Sequence, residues 1–461
     1  MAPAEPDHGD APSTARLDEP GPGRAVILVG NPASPYSRAI RLARTLTREG
    51  YRVEIAAVAA PSLPDREVGD GWELRRYAPS GFWERFGRSP SRRSATSTTS
   101  APADASGSAA GPRSAVRRAI TRAGRLLAAV RRWLFWPHMV RGWWATLARD
   151  LPPADLYHAC GSLTIEPALA ARRRTPTGTT GGPARVIYDA IDDVMESNNV
   201  LDMPAPIRAW HERRETGWAR AADALTTINE PIAERLGARW GRRLVVVPNY
   251  PEIASGSADI EPGAVGPLRR ILGFAPDRPI VLYQGRLGPR RGLDEAADAV
   301  LDVPGAALVF LGFGAGFDRE LARDADPRYV DRHFTLPAVP PDELLAWVAD
   351  ADLVLMPLPP VSVNQTLVSP NKLWEATAVG TPVVVPSAIS FMAGLVEAED
   401  LGVVVPTTTP ADLAAGIRAV LDRMAADPGW RGRIRAIARE RHAWPVAEAA
   451  YIELVRGMRP R

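Results

Sequence analysis

The chain has 461 residues, of which 46% are apolar and 24% charged, the balance of a globular protein large enough for two or three domains. No run approaches the ~20 consecutive apolar residues of a transmembrane helix, and the acidic, proline-rich residues 1–23 lack the apolar core of a signal peptide. Cys160 is the only cysteine, which excludes an internal disulfide and a cysteine-based zinc cluster. We therefore expect a cytoplasmic protein with a disordered tail at 1–23.

Positive charge is concentrated in one part of the sequence. The net charge is +3, whereas the stretch from Arg88 to Arg149 holds twelve arginines and one acid, Asp104. Of the 56 basic residues only Lys372 is a lysine. The position of the positive block therefore says more about binding partners than the overall charge does.

Apolar runs alternate with helical patterns from Arg24 onwards. The run AVILVG, the helical spacing of SRAIRLARTLTREG and the run YRVEIAAVAA predict a βαβ unit, and hence a parallel sheet. Residues 89–112 contain almost no large apolar side chains, so we expect a disordered insert. The alternation then resumes, with strands predicted in DLYHA, ARVIYDA, ALTTIN and RLVVVPN and helices near 163–173, 205–220 and 230–239.

A loop rich in Gly, Ser and Pro near 250–265 precedes a second array of strands, which begins at RPIVLYQG and ends at LGVVVP. The pattern predicts an α/β fold of two doubly wound, parallel-sheet domains, 24–250 and 266–428, that face each other across a cleft. Residues 429–461 are predicted to be helices that pack back on the first domain. Ligands bind at the carboxyl ends of parallel strands, so we expect the active site between the domains.

Residues 113–149 combine arginines with apolar residues near helical spacing and with tryptophans. A basic amphipathic segment with tryptophans is typical of peripheral binding to a membrane surface. The alternative is that its apolar stripe packs on the first domain and its arginines are solvated. Nucleic-acid binding is not favoured because no recognised binding module accompanies the segment. The tryptophans are Trp133, Trp136, Trp143 and Trp144.

The sequence VLYQGRLGPRRGLDEA predicts a strand that ends at Gln284, followed by a Gly/Pro loop. Gly285 permits a tight turn, and Arg286 and Arg291 flank the loop before the next helix. Guanidinium groups match phosphate oxygens in pairs, so two arginines at a strand end suit a diphosphate. The alternative is a solvated, arginine-rich turn.

The sequence SPNKLWEATAVG predicts a helix over 371–379, with Ser369 as its N-cap and Pro370 at its first position. The free N–H groups at such a helix start attract anions. Lys372 in the first turn is electrostatically unfavourable, and a bound anion would compensate for it. Glu375 faces the same side and could accept hydrogen bonds from ribose hydroxyls; alternatively, Lys372 and Glu375 form a surface pair.

These motifs together resemble the donor site of retaining glycosyltransferases of family 4, which have the two-domain GT-B fold. GRLGPRRG and SPNKLWEATAVGTPVV carry the resemblance, and DLYHACGSLTIEPALAAR with RVIYDAIDD resembles the family's first domain. The similarity spans residues 24–80 and 150–425. It implies transfer of a sugar from a nucleotide-diphosphate sugar with retention of configuration, and no cofactor.

The resemblance also implies roles for single residues. Arg286, Lys372 and Arg291 would hold the diphosphate and stabilise it as it leaves. Two Asp-x-Asp pairs, Asp324/Asp326 and Asp350/Asp352, are interpreted as solvated boundary residues, so no metal site is predicted. The further donor-binding candidates are Gly285, Gly312, Gly314, Ser369, Asn371, Leu373 and Glu375.

The sugar side of the site departs from the family pattern. Leu367 stands where the family typically has the first of two glutamates, and Cys160 where a histidine is common. Just before Leu367, residues 364–366 (Asn, Gln, Thr) are candidates for contact with the sugar. On the acceptor side the candidates are His158, Asp189, Asp192 and Asp193, for which the alternatives are a buried histidine and a solvated loop.

We therefore expect a metal-independent, retaining glycosyltransferase at the inner face of the cell membrane, acting on an envelope glycan or glycolipid. Two alternatives stay open. A non-catalytic GT-B scaffold or partner subunit is favoured by Leu367 and Cys160. A nucleotide-sugar epimerase shares the fold but needs acid and base residues around the sugar, where this sequence is poor.

Overall fold

The computed structural model of the protein describes residues 23–34, 36–80, 133–134, 136, 138–253 and 265–459. The predicted tail up to residue 22, the predicted insert at 89–112 and the part of the basic segment at 113–132 lie outside these residues. The described chain forms two separate β-sheets with packed helices.

The first sheet contains eight strands among the described residues: β1 (Arg24–Val29), β2 (Arg52–Val58), β3 (Arg66–Val68), β4 (Trp72–Tyr77), β5 (Leu156–Cys160), β6 (Arg185–Asp189), β7 (Ala224–Thr227) and β8 (Val245–Val246). Their order is β3-β4-β2-β1-β5-β6-β7-β8, with β3 antiparallel to β4 and the other pairs parallel. Both faces of β1 are buried: Val26 and Leu28 pack on one side, Ile27 and Val29 on the other. This explains why its sequence is a continuous apolar run.

The helices of the first domain are α1 (Ser37–Arg48), α2 (His138–Asp150), α3 (Ile165–Arg174), α4 (Ala205–Ala221) and α5 (Glu230–Trp240), with a 3₁₀ turn at Val194–Glu196. α1 buries Ala39, Leu42, Ala43 and Leu46, the residues on its apolar stripe, in the same cluster as Ile27 of β1.

α2 is the longest described part of the predicted basic amphipathic segment, of which residues 133–134 and 136 are also described. Trp143 and Leu147 are fully buried in the core of the first domain, and the Trp143 indole N–H donates to the carbonyl of Ala57 at 3.0 Å. The apolar stripe of α2 therefore packs on this domain. Within the described ranges, no helix is long and apolar enough to cross a bilayer.

The second sheet contains six strands among the described residues: β9 (Ile280–Arg286), β10 (Ala307–Phe313), β11 (His333–Pro337), β12 (Leu353–Leu355), β13 (Val383–Pro386) and β14 (Gly402–Val405). Their order is β11-β10-β9-β12-β13-β14, and all neighbours are parallel. Its helices are α6 (Pro267–Leu272), α7 (Leu293–Leu301), α8 (Phe317–Arg323), α9 (Leu344–Ala349), α10 (Val363–Thr366), α11 (Asn371–Ala378), α12 (Ser390–Ala398) and α13 (Pro410–Ala426).

The last two helices are α14 (Trp430–Arg441) and α15 (Trp444–Gly457), and they belong to different domains. Trp430 of α14 is fully buried in the second domain, and its indole N–H donates to the carbonyl of Asp400 at 2.8 Å. Trp444 and Tyr451 of α15 are buried in the first domain beside β1. The expectation that all of 429–461 packs on the first domain is therefore wrong for α14, because Trp430 fits the core of the second domain.

Candidate functional site

A cleft of about 640 Å³ lies between the two sheets. Its first-domain wall is formed by the start of α1 and by the loop after β6, which includes Asp192 and Asn198. Its second-domain wall is formed by the loop after β9 and by the chain from Ser362 to Asn371. Both walls are at the carboxyl ends of parallel strands, where side chains are free to meet a ligand.

The loop from β9 to α7 brings three arginines to the cleft. Arg286, Arg290 and Arg291 line it, and among the described residues neither Arg286 nor Arg291 has a side-chain hydrogen bond or ion pair. Gly285 has φ of +106° and Gly292 has φ of +70°. A Cβ on Gly292 would lie 1.8 Å from the carbonyl oxygen of Pro357, so only glycine allows the loop to pass so close to β12.

α11 begins at Asn371, as the sequence predicts, but its N-cap differs from the predicted one. Pro370, rather than Ser369, is the N-cap, and Asn371 is the first helical residue. The reason is that Pro370 has φ of −67° with an extended ψ of 147°, so the helix starts only after it. Ser369 is buried and accepts a hydrogen bond from the Asn229 side chain at 3.4 Å, while Asn371 accepts one from the Asn249 side chain at 2.5 Å.

Lys372 is a buried cation in the first turn of α11, only 9% exposed. Its ammonium nitrogen is 3.6 Å from the centroid of the Tyr283 ring. Burial, assisted by the nearby charge of Arg291 and opposed by that of Glu375, lowers the pKa of Lys372 to about 7. A buried ammonium close to another cation is unfavourable without an anion, and Lys372 lies directly behind the cleft-lining residue Asn371 without lining the cleft itself.

Glu375 is half-buried one turn further along α11. Its Oε2 accepts a hydrogen bond from Gln284 at 3.4 Å. Burial raises the pKa of Glu375, although Gln284, Lys372 and Arg41 act in the opposite direction. Glu375 and Lys372 are thus close neighbours but not a surface pair.

Three of the proposed donor-binding residues are used by the protein itself. The side chain of Leu373 is fully buried in the core of the second domain. A Cβ on Gly312 would lie 2.1 Å from the carbonyl oxygen of Gly285, and one on Gly314 would lie 2.6 Å from that of Leu287. Gly312 and Gly314 therefore let the end of β10 pack against Gly285 and Leu287, and their implied role beside a nucleotide stays a prediction.

His158 and Asp189 are buried beneath the cleft wall. Asp189 accepts two hydrogen bonds from Arg38, at 2.7 and 2.8 Å, and one from Thr226 at 2.8 Å. Burial alone would raise the pKa of Asp189, but the Arg38 guanidinium holds it far below its usual range. Tyr451 lies 3.0 Å from Nδ1 of His158. The acceptor role proposed for His158 and Asp189 is therefore wrong, because these groups bind other protein side chains.

Cys160 lies next to the same buried network. Ligand atoms of His158, Cys160 and Asp189 are within 4.8 Å of one another, a spacing that would suit a metal ion. The Arg38 guanidinium, however, already occupies both carboxylate oxygens of Asp189. Burial raises the pKa of the Cys160 thiol, which leaves it a small apolar residue.

The three aspartates around the loop after β6 have different surroundings. Asp193 is fully buried and forms ion pairs of 2.7 Å with Arg235 and Arg239, so it too is wrong as an acceptor-side residue. Asp192 is exposed at the cleft and accepts a hydrogen bond from Asn364 of the second domain at 3.1 Å. Asp192 is therefore the acceptor-side candidate that the structure brings to the cleft.

Leu367 does not face the cleft as a ligand group. Its side chain packs against the core of the first domain, and its carbonyl oxygen accepts a hydrogen bond from Asn229 at 2.8 Å. Asn364 and Gln365, just before it, are buried and line the cleft. Cleft-lining residues that the sequence missed include Arg290, which adjoins Arg291 in the GPRRG motif, and Asn198 and Asn249, which have no recognisable motif.

The two Asp-x-Asp pairs are mostly not the solvated residues that we expected. Asp350 is buried and accepts hydrogen bonds from Arg269, as does Asp352 at 2.9 Å. Asp324 accepts two hydrogen bonds from Thr335, both of 3.0 Å. Only Asp326 is an exposed turn residue. Structural partners therefore occupy Asp324, Asp350 and Asp352.

Comparisons with known proteins identify similar sequences and structures. Residues 278–423 match the model of a family described as "Glycosyl transferases group 1". A D-inositol 3-phosphate glycosyltransferase of Xylanimonas cellulosilytica is 32% identical over 249 residues, which cover 51% of this chain and 57% of that protein. The chain thus spans little more than half the length of the curated relatives it matches.

Solved structures of the same fold cover nearly the whole chain. Sucrose-phosphate synthase from Thermosynechococcus elongatus has a TM-score of 0.62 at 17% identity and covers 95% of this chain and 99% of that chain. HepE of Anabaena, in complex with UDP and glucose, has a TM-score of 0.62 at 15% identity, covering 94% and 100%. The predicted GT-B fold, two parallel-sheet α/β domains facing across a cleft, is confirmed.

Proposed function

We propose that the protein is a glycosyltransferase that moves a sugar from a nucleotide-diphosphate sugar to a hydroxyl acceptor, with its second domain binding the donor. The observation that carries the proposal is the group of cations formed by Arg286, Arg291 and Lys372. The first two line the cleft without a carboxylate partner among the described residues, and the third is buried close enough to Arg291 to feel its charge. A diphosphate supplies the negative charge that this group lacks.

The start of α11 adds to this anion site. The helix N–H groups after Pro370 point along the helix axis toward its beginning, where Ser369 and Asn371 line the cleft. Partial positive charge at a helix start stabilises phosphate oxygens. In this proposal Glu375 binds the ribose of the donor, because its carboxylate lies one turn further along the same helix.

Cations around the leaving group supply most of the catalysis in this proposal. The acceptor oxygen forms a bond to the anomeric carbon as the bond from that carbon to the diphosphate oxygen breaks, and the acceptor proton passes to the departing phosphate. Arg286, Arg291 and Lys372 stabilise the negative charge that develops there. Because the acceptor attacks on the face that the diphosphate leaves, the configuration is retained and no protein nucleophile is needed.

The relatives indicate which donors to examine first. The Anabaena neighbour was solved with UDP and glucose, and the curated relatives are named for transfer to an inositol phosphate. We therefore put UDP-sugars first in a donor panel. We further propose that Arg286, Arg291 and Lys372 stabilise the diphosphate in place of a divalent metal ion. Activity is then expected to be unchanged by chelators.

The cellular setting follows from the sequence. Residues 113–132 carry seven arginines and no acid and lead directly to Trp133. A basic segment of this kind favours anionic lipid surfaces. We propose a cytoplasmic protein bound at the inner face of the membrane, with an envelope glycan or glycolipid as its acceptor.

The experiment is a thermal-shift and calorimetry panel of UDP-, GDP-, ADP- and TDP-sugars with the full chain and with Lys372→Ala. A ligand at 100 times its Kd stabilises the folded state by about 2.7 kcal/mol. We expect one nucleotide to stabilise the wild type and to lose at least tenfold in affinity in the variant. Arg213→Ala is the control, since Arg213 is exposed on α4 and does not line the cleft.

Turnover then separates the candidate activities. Transfer needs an acceptor and retains the anomeric configuration, which NMR of the product reports, whereas an epimerase converts the nucleotide sugar alone. A protein that binds the donor without turnover is a scaffold, the alternative that Leu367 favours. Failure of all four nucleotides to bind would overturn the donor site itself.

A further inference from the structure

We propose that Asp192 binds the acceptor hydroxyl in the cleft and that Asn364, from the opposite domain, positions it. This inference rests on the proposed function, and it adds the residue that recognises the acceptor. It also gives the hydrogen bond between Asn364 and Asp192, which joins the two domains, a role in acceptor binding.

Asp192 differs from the other acids near it. Among the described residues that line the cleft, it is the one acidic side chain. Asp189 and Asp193 on either side are fully buried and held by arginines. Asp192 has no ion pair among the described residues, and its Oδ2 has no hydrogen-bond partner there. An exposed carboxylate oxygen in a cleft is a natural acceptor for a hydroxyl group.

Asn364 determines how the carboxylate of Asp192 is oriented. Its side-chain N–H donates to Oδ1 of Asp192 at 3.1 Å, and its side-chain oxygen accepts from the backbone N–H of Asp193 at 2.8 Å. If the amide oxygen and nitrogen of Asn364 were exchanged, its oxygen would face the Asp192 carboxylate and its N–H groups would face the backbone N–H of Asp193. The two contacts therefore define one amide orientation, and they leave Oδ2 of the cleft-lining Asp192 without a protein partner among the described residues.

The short helix α10 holds Asn364 at the boundary between the domains. Ser362 caps it, with its side-chain oxygen 3.3 Å from the N–H of Gln365. The Asn198 side chain donates to Gln365, and Asn229 donates to the carbonyl of Leu367. The Leu367 side chain packs on the first-domain core. Asn364 thus reaches Asp192 across the boundary between the domains, so the orientation of the Asp192 carboxylate depends on the contact between them.

The charges around Asp192 set the protonation of its carboxyl. The protein around Asp192 partly desolvates its carboxyl and raises its pKa, Asp193 acts in the same direction, and the Asn364 hydrogen bond and the Arg291 charge oppose them. A carboxylate whose pKa is raised accepts hydrogen bonds more strongly. In the proposed mechanism the acceptor proton passes to the departing phosphate, so Asp192 is not the general base. Its contribution is to bind and orient the acceptor hydroxyl.

The test uses the full chain, the nucleotide sugar that binds best in the panel, and two acceptors, myo-inositol and an extracted envelope glycolipid fraction. The variants are Asp192→Asn, Asn364→Ala and the control Asp202→Asn, since Asp202 is an exposed neighbour that does not line the cleft. We expect Asp192→Asn and Asp202→Asn to bind the donor within about twofold of the wild type, and the acceptor kinetics of Asn364→Ala are compared at saturating donor. A lost hydrogen bond to a charged group predicts a fall of about 10- to 100-fold in kcat/KM for the acceptor in Asp192→Asn.

The pH profile separates positioning from a general structural role. Wild-type kcat/KM for the acceptor falls as the pH drops through the pKa of Asp192, and this acidic limb disappears in Asp192→Asn. In Asn364→Ala the lost hydrogen bond disfavours the carboxylate, so the acidic limb moves to higher pH. A loss of folded protein alone would lower kcat but would not change the pH at which kcat/KM falls.

The outcomes keep the two proposals apart. Loss of all donor binding in the wild type would overturn the proposed function. Donor binding with wild-type kinetics in Asp192→Asn, or an acidic limb that Asn364→Ala does not move, would overturn this inference while leaving the donor site standing. Donor binding without transfer to either acceptor would also overturn it, because the cleft would then serve a scaffold.

Discussion

The ammonium nitrogen of Lys372 lies 3.6 Å from the centroid of the Tyr283 ring, so this buried cation rests on an aromatic face. Among the described residues it has no salt bridge. A cation–π contact recovers about 2 kcal/mol when it is desolvated, less than the cost of taking an unpaired charge out of water. Lys372 should therefore destabilise the ligand-free protein.

Replacing Lys372 with Met is expected to raise the free energy of unfolding of the ligand-free protein by about 1–4 kcal/mol near pH 6.5. The gain should shrink as the pH rises from about 7 towards 10.5, because the folded wild type then sheds a proton that the unfolded chain still holds. Urea denaturation at several pH values measures this, with the exposed Arg213→Met as the control. A variant less stable than the wild type at pH 6.5 would contradict the expectation.

Donor binding should take up a proton near pH 8. With a pKa of about 7, Lys372 is then mostly neutral in the free protein, and a diphosphate beside it favours the charged form. Calorimetric titration in buffers of different ionisation enthalpy reports the uptake, which is expected to approach one proton per donor. Lys372→Met should show none; equal uptake in the variant would assign the proton to another group.

Gly292→Ala is expected to destabilise the protein by more than 2 kcal/mol and to abolish donor binding. A Cβ there would lie 1.8 Å from the carbonyl oxygen of Pro357, and the positive φ adds about 1–2 kcal/mol of strain. Gly305→Ala is the matched control, because Gly305 has φ of +76° but no atom near its Cβ position. Thermal unfolding compares the two; equal losses would mean that the contact with Pro357 is readily relieved.

Asp189→Asn is expected to lower the free energy of unfolding by about 3–5 kcal/mol, because it leaves Arg38 as an unpaired buried charge. Arg38 holds the pKa of Asp189 far below its usual range, so this contribution is present above the unfolded-state value of about 4 and is lost as the pH falls below it. Denaturation curves at pH 3 and pH 7 measure the difference. The double variant Arg38→Met/Asp189→Asn should recover part of the loss at pH 7.

The fold was predictable because its signals are local. The apolar run of β1 and the spacing of Leu42 and Leu46 in α1 each lie within a dozen residues, and a run of such units specifies a parallel sheet. The cations of the β9 loop were equally accessible, since Gly285 and the arginines are adjacent in the sequence.

The sequence could not separate residues whose environment is set from far along the chain. Asp189, Asp192 and Asp193 are the same residue type within five positions, yet Arg38 holds the first and Arg239 the third. Gly312 looked like a ligand-approach glycine, but the atom it accommodates is a carbonyl of β9. In each case the partner comes from another element, which only the packed fold brings close.

The return of α15 to the first sheet makes the first domain discontinuous in sequence. The chain leaves the first domain near Pro251 and returns to it at Trp444. These two chain segments are joined by a hydrogen bond of 2.8 Å from the backbone N–H of Trp444 to the carbonyl of Pro251. Anyone exchanging halves between related proteins would therefore have to cut at both points. A fragment that stops after β8 would expose to water the apolar surface that Trp444 and Tyr451 cover. We therefore expect such a fragment to be less stable than the complete first domain.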